Sequence, residues 1–472
     1  MNNKAITFIK NFSYTLSSNL ISMMISTILI FIVPKLIGVE DYGYWQLYLF
    51  YSSYVGFLHF GWNDGIYLRY GGKEYKELNK ELFFSQFWML IIFQVLIGAV
   101  IMGVSIAFSS DTNRLYIFEM TALCMFIVNV RLMLIFILQG TNRIKEYAQI
   151  TMMERVIYCC LILLFLFIGI RQYKLLISAD IIGKLVTLVY AMYCCKDIVF
   201  NKVSAFYLNI KETIMNVSVG IKLMFANIAS MLIIGVVRFG IERSWDVSTF
   251  GKVSLVMSVS NLMMIFIDAV GIVMFPVLRR TNEDKLPTLY TTMRTFLMVP
   301  LLGLLVAYYP LKSILPIWLP KYTESLMYMA LLFPMCIYEG KMALLINTYL
   351  KTLRKEKLMF VFNLLSVVLS IILTILFTIV FKNLSLAILS IVVLLAFRSA
   401  LAEVFLSRIL NVSVYKDIFL EMAMTLIFIL AGWFVTSWIG VGLYLVAYGL
   451  YLLIQRRDIK ATFITVKQLV RG

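Results

Sequence analysis

Apolar runs long enough to cross a bilayer alternate with short polar segments along the whole chain. A spanning helix needs about 20 mainly apolar residues. On that spacing the sequence predicts helices at 13–36, 43–67, 82–108, 115–138, 148–170 and 174–195. A polar stretch, Lys196 to Asn216, follows. The next helices fall at 219–241, 249–275, 288–311, 325–349, 357–380 and 384–408, and a last pair at 416–437 and 439–455. Only a short turn near Ser437–Gly440 divides that last pair. The expected fold is all-α, a polytopic membrane protein with about fourteen transmembrane helices. The loops are too short to hold a soluble catalytic domain, so no enzymatic activity is expected.

Composition agrees. Of 472 residues, 62% are hydrophobic and 14% charged, where soluble proteins carry about 25% charged residues. The 42 basic residues outnumber the 25 acidic ones. Nucleic acid is not the expected partner, because the cations sit in short clusters between apolar runs, as on the cytoplasmic face of a membrane. With the N-terminus cytoplasmic, roughly 25 basic residues fall in inner segments and roughly 8 in outer ones. Both termini are then cytoplasmic. The stretch after Met1 to Lys10 lacks a convincing cleavage site and reads as the first span rather than a signal peptide.

The six cysteines, Cys124, Cys159, Cys160, Cys194, Cys195 and Cys336, fall in apolar runs and read as small buried hydrophobes. His59 is the single histidine. No metal site and no cofactor are expected. Trp45, Trp318 and Trp438 read as interface anchors at helix ends.

A faint repeat runs through the chain. Asn11-Phe12-Ser13 is echoed by Asn216-Val217-Ser218, Tyr42-Gly43 by Phe250-Gly251, and Leu138 with Arg143-Ile144-Lys145-Glu146 by Leu350 with Arg354-Lys355-Glu356-Lys357. A near-constant offset predicts two six-helix lobes entering from the same side, with a site between them. The boundaries expected are 1–200 for the first lobe and 201–410 for the second. Residues 411–472 hold two further helices and a basic tail.

Three short motifs resemble those of oligosaccharide-lipid flippases, within the multidrug/oligosaccharidyl-lipid/polysaccharide exporter superfamily. Ile37-Gly38-Val39-Glu40-Asp41-Tyr42-Gly43 is similar to that family's connection between its first two helices. Phe60-Gly61-Trp62-Asn63-Asp64-Gly65 with Arg69-Tyr70 is similar to the end of its second helix, but lacks the first acidic residue, standing at His59 or Phe60 here. Phe275-Pro276-Val277-Leu278-Arg279 is similar to the exit of its eighth. The resemblance covers about residues 5–455 and rests on the order and spacing of these motifs. It implies a two-lobed bundle with a central cavity of alternating access. It also implies a cargo, an undecaprenyl-diphosphate-linked oligosaccharide repeat unit, carried from the inner to the outer leaflet for O-antigen, capsule or similar polysaccharide. Polysaccharide polymerase machinery would be a partner, with membrane lipids around it. The membrane would be the bacterial cytoplasmic one.

Charges at membrane depth cost about 2.5–3.5 kcal/mol each on insertion scales and persist where they pair, meet water or bind substrate. Lys222, Lys252 and Arg294 lie near helix ends and read as snorkelling. Arg131, Arg155, Arg238, Lys341 and Arg398 are the candidate substrate-binding cavity residues, since guanidinium and ammonium groups compensate a diphosphate. Asp180 and Lys184, four apart, are expected to pair. Glu339 and Lys341, two apart, need partners elsewhere. Pro334 should kink its helix. No Gly-Lys precedes Ser or Thr, so no Walker A loop is present. Asp64, Glu154, Asp268 and Glu339 are the candidates for proton or sodium coupling. The rival functions are a multidrug or cation-coupled exporter of the same superfamily and a membrane-embedded glycan polymerase or ligase.

Overall fold

In the computed structural model the backbone is described for residues 3–108, 111–279, 286–435 and 438–471, and side chains for these apart from 3–13, 15–19, 108, 265–279 and 465–471. Among the described residues there is no strand. The helices are α1 (Asn3–Leu36), α2 (Val39–Ser52), α3 (Trp62–Tyr70), α4 (Lys80–Phe108), α5 (Thr112–Gly140), α6 (Ile144–Phe167), α7 (Tyr173–Cys194) and α8 (Lys196–Val199). They continue as α9 (Ile210–Ser244), α10 (Val247–Arg279), α11 (Leu286–Leu304), α12 (Tyr308–Trp318), α13 (Thr323–Leu326), α14 (Met329–Leu332), α15 (Met335–Gly340) and α16 (Asn347–Thr352). The last five are α17 (Glu356–Thr374), α18 (Leu384–Leu410), α19 (Tyr415–Phe434), α20 (Ile439–Ile454) and α21 (Arg456–Arg471).

Among the described residues, ten helices or helix runs are long and apolar enough to cross a membrane, or eleven when the bent pair α20 and α21 is counted as one span. The remaining expected spans are α1, α10 and the region of α2 and α3. This is a multi-pass, all-helical membrane protein. Contacts divide it into two compact units, Met1–Ile228 and Ala229–Gly472. In the first, α5 is the buried centre, with 72% of its apolar window enclosed; in the second, Met329–Thr352 holds that place at 83%.

The two units share local geometry. The Arg143 N–H donates to the Leu138 carbonyl at 2.8 Å, and the Lys355 N–H to the Leu350 carbonyl at 2.8 Å. Asn142 and Arg354, which are 354 less 142 or 212 residues apart, both take positive φ, 60° and 53°. Each is the left-handed residue of a helix-ending turn with a six-to-one hydrogen bond. The next positive φ falls at Gly169 in one unit and Lys382 in the other, a separation one residue longer. A π-helical turn at Ile375–Val380 takes up that added residue.

The sequence predicts a continuous second helix over 43–67, but the structure breaks it. After α2 come a 3-10 turn at Val55–Phe57 and left-handed residues at Phe60 and Gly61 before α3 starts. Carbonyls freed at membrane depth need partners, and polar side chains of neighbouring helices supply them. Asn129 donates to the Val55 carbonyl at 3.0 Å, and Gln94 to that of Leu58 at 3.1 Å. A second break comes where Pro334 was expected to kink the chain. There α14 stops at Leu332, α15 begins at Met335, and a π turn follows at Lys341–Ile346.

Two smaller expectations change. Trp45 is 4% exposed and packs against Tyr42, so it is a core residue rather than an interface anchor; Trp438 is 71% exposed. Cys160 is exposed, unlike Cys124, Cys159, Cys195 and Cys336. In the polar stretch after α7, Asp197 of α8 accepts from the Tyr75 hydroxyl at 2.6 Å and pairs with Lys80 at 3.0 Å.

Candidate functional site

The motif around Gly61 and Arg69 forms a clamp within the first unit. A Cβ on Gly61, whose φ is +80°, would meet the Ile221 backbone nitrogen at 2.4 Å. A Cβ on Gly65 would meet the Asn216 carbonyl oxygen at 1.8 Å. Only glycine lets the backbones of α3 and α9 touch here. One turn on, Arg69 donates to Glu212 at 2.5 Å and to the Asn216 side chain, and the Tyr70 hydroxyl donates to Glu212 at 2.6 Å. At the other end of α3, the His59 ring lies 3.6 Å from the Asp64 carboxylate, and the Gly61 N–H donates to His59 Nδ1 at 3.0 Å. Asp64 is therefore placed at the helix break, beside the chain's single imidazole.

Deeper in this unit four charges balance. Arg131 pairs with Glu154 at 2.7 Å and donates to the Thr187 hydroxyl at 2.6 Å. Lys184 pairs with Asp180, as their spacing predicts. The Tyr48 hydroxyl also donates to Asp180, at 2.5 Å. Arg131 Nε has no hydrogen-bond partner. Arg155, next along α6, is exposed.

The second unit holds the densest group of charges, among α11, α18, α19 and the π turn. Lys341 Nζ lies 2.7 Å from Glu403 and 2.5 Å from Glu421. Arg294 Nε lies 2.6 Å from Glu403, and the same guanidinium also pairs with Glu421. The Tyr290 hydroxyl donates to Glu403 at 3.0 Å. Asp417, 3.7 Å from Arg294, in turn accepts from Gln455 at 2.5 Å. Arg294, Lys341, Glu403 and Glu421 are each no more than 3% exposed.

Arg294 therefore does not snorkel. It is enclosed, and its charge is met by carboxylates from two other helices. Sequence reasoning missed Glu421 and Asp417 altogether. The available signal was a carboxylate in the apolar run of 416–437, which in lipid demands a cation.

The expected partners for Glu339 and Lys341 do lie elsewhere. Lys341 joins that cluster, and Glu339 meets Arg398 at 3.5 Å. Arg398 is 3% exposed, and its Nε makes no hydrogen bond. Arg238 donates to the Ser254 hydroxyl at 3.1 Å and stacks on the Phe250 ring at 5.3 Å. The side chain of Asp268 lies outside the described residues. The five candidate cations are thus divided, Arg131 and Arg155 in the first unit and Arg238, Lys341 and Arg398 in the second. Among the described residues no group of three or more His, Cys, Asp or Glu is placed to hold a metal ion.

An apolar groove of about 660 Å³ runs between α18 and α19, lined by residues such as Leu389, Val393, Phe397, Leu426, Ile429 and Trp433. On its wall the Tyr338 hydroxyl donates to Thr425 at 2.9 Å. Such a lining suits a hydrocarbon chain rather than a sugar or a phosphate.

No family model and no curated protein matches the chain. Solved structures do. An inward-closed lipid II flippase, MurJ, matches with TM-score 0.64 and 15% identity over 96% of this chain and 99% of that one. An inward-facing multidrug resistance MATE family transporter of the MOP superfamily matches with TM-score 0.63 and 10% identity over 82% and 94%. A MATE structure in the straight conformation matches with TM-score 0.51 and 11% identity over 86% and 94%. At these identities the likeness is one of fold, and the chain has the membrane-transporter fold shared by the MATE transporters and the MurJ flippase.

Proposed function

We propose that this protein is a flippase for a polyprenyl-diphosphate-linked oligosaccharide, turning it from the inner to the outer leaflet by alternating access. The observation that carries this reading is the fold match to a lipid II flippase across 96% of the chain. The three flippase-like motifs add to it, and one of them forms the glycine and Arg69 clamp. In this reading the protein sits in a bacterial cytoplasmic membrane with both termini inside. It feeds the machinery that polymerises or ligates a surface polysaccharide.

The chemistry of such a cargo has three parts. The diphosphate must keep its charge compensated as it leaves water. Arg131, Arg155, Arg238, Lys341 and Arg398 are the proposed source of positive potential. Arg398 and Arg131, with an unused Nε each, and the exposed Arg155 retain donors for phosphate oxygens. Lys341 is held by two carboxylates and contributes mainly by keeping the surrounding helices in place. The sugar needs a wet, polar path, and the isoprenoid needs hydrocarbon. Asp64, Glu154, Asp268 and Glu339 remain the proposed coupling carboxylates. Outward movement of each negative charge gains about 2.3 kcal/mol per 100 mV of membrane potential.

A deletion strain tests this. Lipid-linked oligosaccharide should accumulate on the inner leaflet while surface glycan falls; normal surface glycan would sink the proposal. The MATE neighbour, at TM-score 0.63, favours a second reading as a multidrug exporter. That reading gains if deletion instead raises drug susceptibility with glycan unchanged.

A further inference from the structure

The chain bends by 63° between α20 and α21, at Gln455. The axis of α21 therefore runs well away from that of α20. The bend is fixed from inside, because the Gln455 side chain donates to Asp417, the carboxylate beside Arg294. The helix α21 also packs on α11. Thr462 is buried on that side, at 6% exposed.

The opposite side is free. At 100° per residue, Phe463, Arg456, Lys460, Ile464 and Arg457 follow one another around a single exposed arc. All five are exposed, Phe463 at 76% and Ile464 at 60%. Arg456 and Lys460 thus stand between the two apolar side chains and Arg457 flanks Ile464, with Asp458 the one carboxylate in residues 456–464. Neither a span nor an ordinary solvated helix needs this combination. In the hydrocarbon the cations would be costly. In bulk water the large apolar side chains would gain nothing.

We propose that this face of α21 docks on an anionic phospholipid surface. Arg456, Arg457 and Lys460 would meet lipid phosphates, and Phe463 and Ile464 would enter the acyl boundary. Charge complementarity selects the anionic lipid, and the bend delivers the helix to the headgroup layer. Because α21 is tied through Gln455 to Asp417, lipid binding there also holds the end of α19 to α11. The proposal does not depend on which cargo the protein carries.

The test uses the full-length protein in nanodiscs of phosphatidylcholine alone and of phosphatidylcholine mixed with phosphatidylglycerol. Hydrogen–deuterium exchange is followed in the peptide covering residues 456–464. Exchange should be about tenfold slower in the anionic discs. The difference should vanish at high salt and in the Arg456→Gln, Arg457→Gln, Lys460→Gln variant, with exchange in α5 unchanged as a check on folding. Phe463→Ser with Ile464→Ser should speed exchange in the anionic discs. Equal exchange of the wild type in both discs overturns the proposal, as does a lipid effect that survives high salt. Slowing that appears only when an acidic protein is added would also overturn it, assigning the face to that partner.

Discussion

Gly65 and Asn216 meet backbone to backbone, so that a Cβ added to Gly65 would lie 1.8 Å from the Asn216 carbonyl oxygen. No rotamer change can relieve such a clash, because neither atom belongs to a flexible side chain. Gly65→Ala must separate α3 from α9 and pull Arg69 away from Glu212. The expected cost is about 3 kcal/mol, the upper range for overpacking. By contrast, Gly103→Ala meets nothing within 4 Å on a helix and should be neutral or slightly stabilising. Thermal unfolding of both variants in the same detergent decides this, and equal melting temperatures would refute the clamp.

Lys341→Met should be severely destabilising. It leaves Glu403 and Glu421 to be compensated by Arg294 alone, in a site with no water access. Breaking a buried ion pair on one side costs about 3–5 kcal/mol. Adding Glu421→Gln removes one of the two carboxylates that Lys341 had neutralised, so the double variant should regain part of the loss. Additive losses in that cycle would mean the two residues are not coupled.

Arg155→Gln should lower transport while leaving protein level and melting temperature near wild type, and Arg398→Gln, which also takes the cation from Glu339, should lower both transport and melting temperature. Removing a charge-assisted hydrogen bond to a phosphate costs about 1.5–3 kcal/mol, or about tenfold or more in apparent affinity. Surface glycan measured against protein level is the readout. Normal glycan from both variants would remove the cationic-binding proposal for these residues.

Acid sensitivity should trace in part to Asp197, outside the spans. Burial pushes its pKa up, but hydrogen bonds from Tyr75 and Lys80 outweigh that and hold the carboxyl below its ordinary value. A carboxylate lowered in the folded state stabilises fully above its unfolded pKa and loses that contribution as pH falls through the folded one. Melting temperature should therefore fall on the acid side of the ordinary carboxylate range. Asp197→Asn should flatten that limb while lowering the plateau near neutral pH. An unchanged acid limb would show that the interaction contributes nothing.

Much of this fold was legible because lipid imposes a simple length rule on apolar runs. The repeated turn at Asn142 and Arg354 was visible as an echo of charged residues after a leucine. The break at Pro334 was readable from proline chemistry. The break at Phe60–Gly61 was not, because its cause is the approach of α9, some 150 residues later in the chain. Asn129 and Gln94 gave no local hint that they close the hydrogen bonds of another helix. Arg294 was misread for a related reason. Its distance from the helix end allowed snorkelling, and only the fold brings Glu403 and Glu421 to it.

Glu421 and Asp417 both lie on α19, beyond the two six-helix lobes that the sequence repeat predicts. A chain trimmed after α18 would leave Arg294 and Lys341 in the second unit with Glu403 as the single carboxylate of that cluster. Two cations against one anion, with the α19 wall of the site also gone, is an arrangement the trimmed protein could keep only by losing a proton or opening the packing. The final helices are therefore not a dispensable extension. A chain engineered to end after α18 is expected to need Arg294 or Lys341 replaced by a neutral residue at the same time.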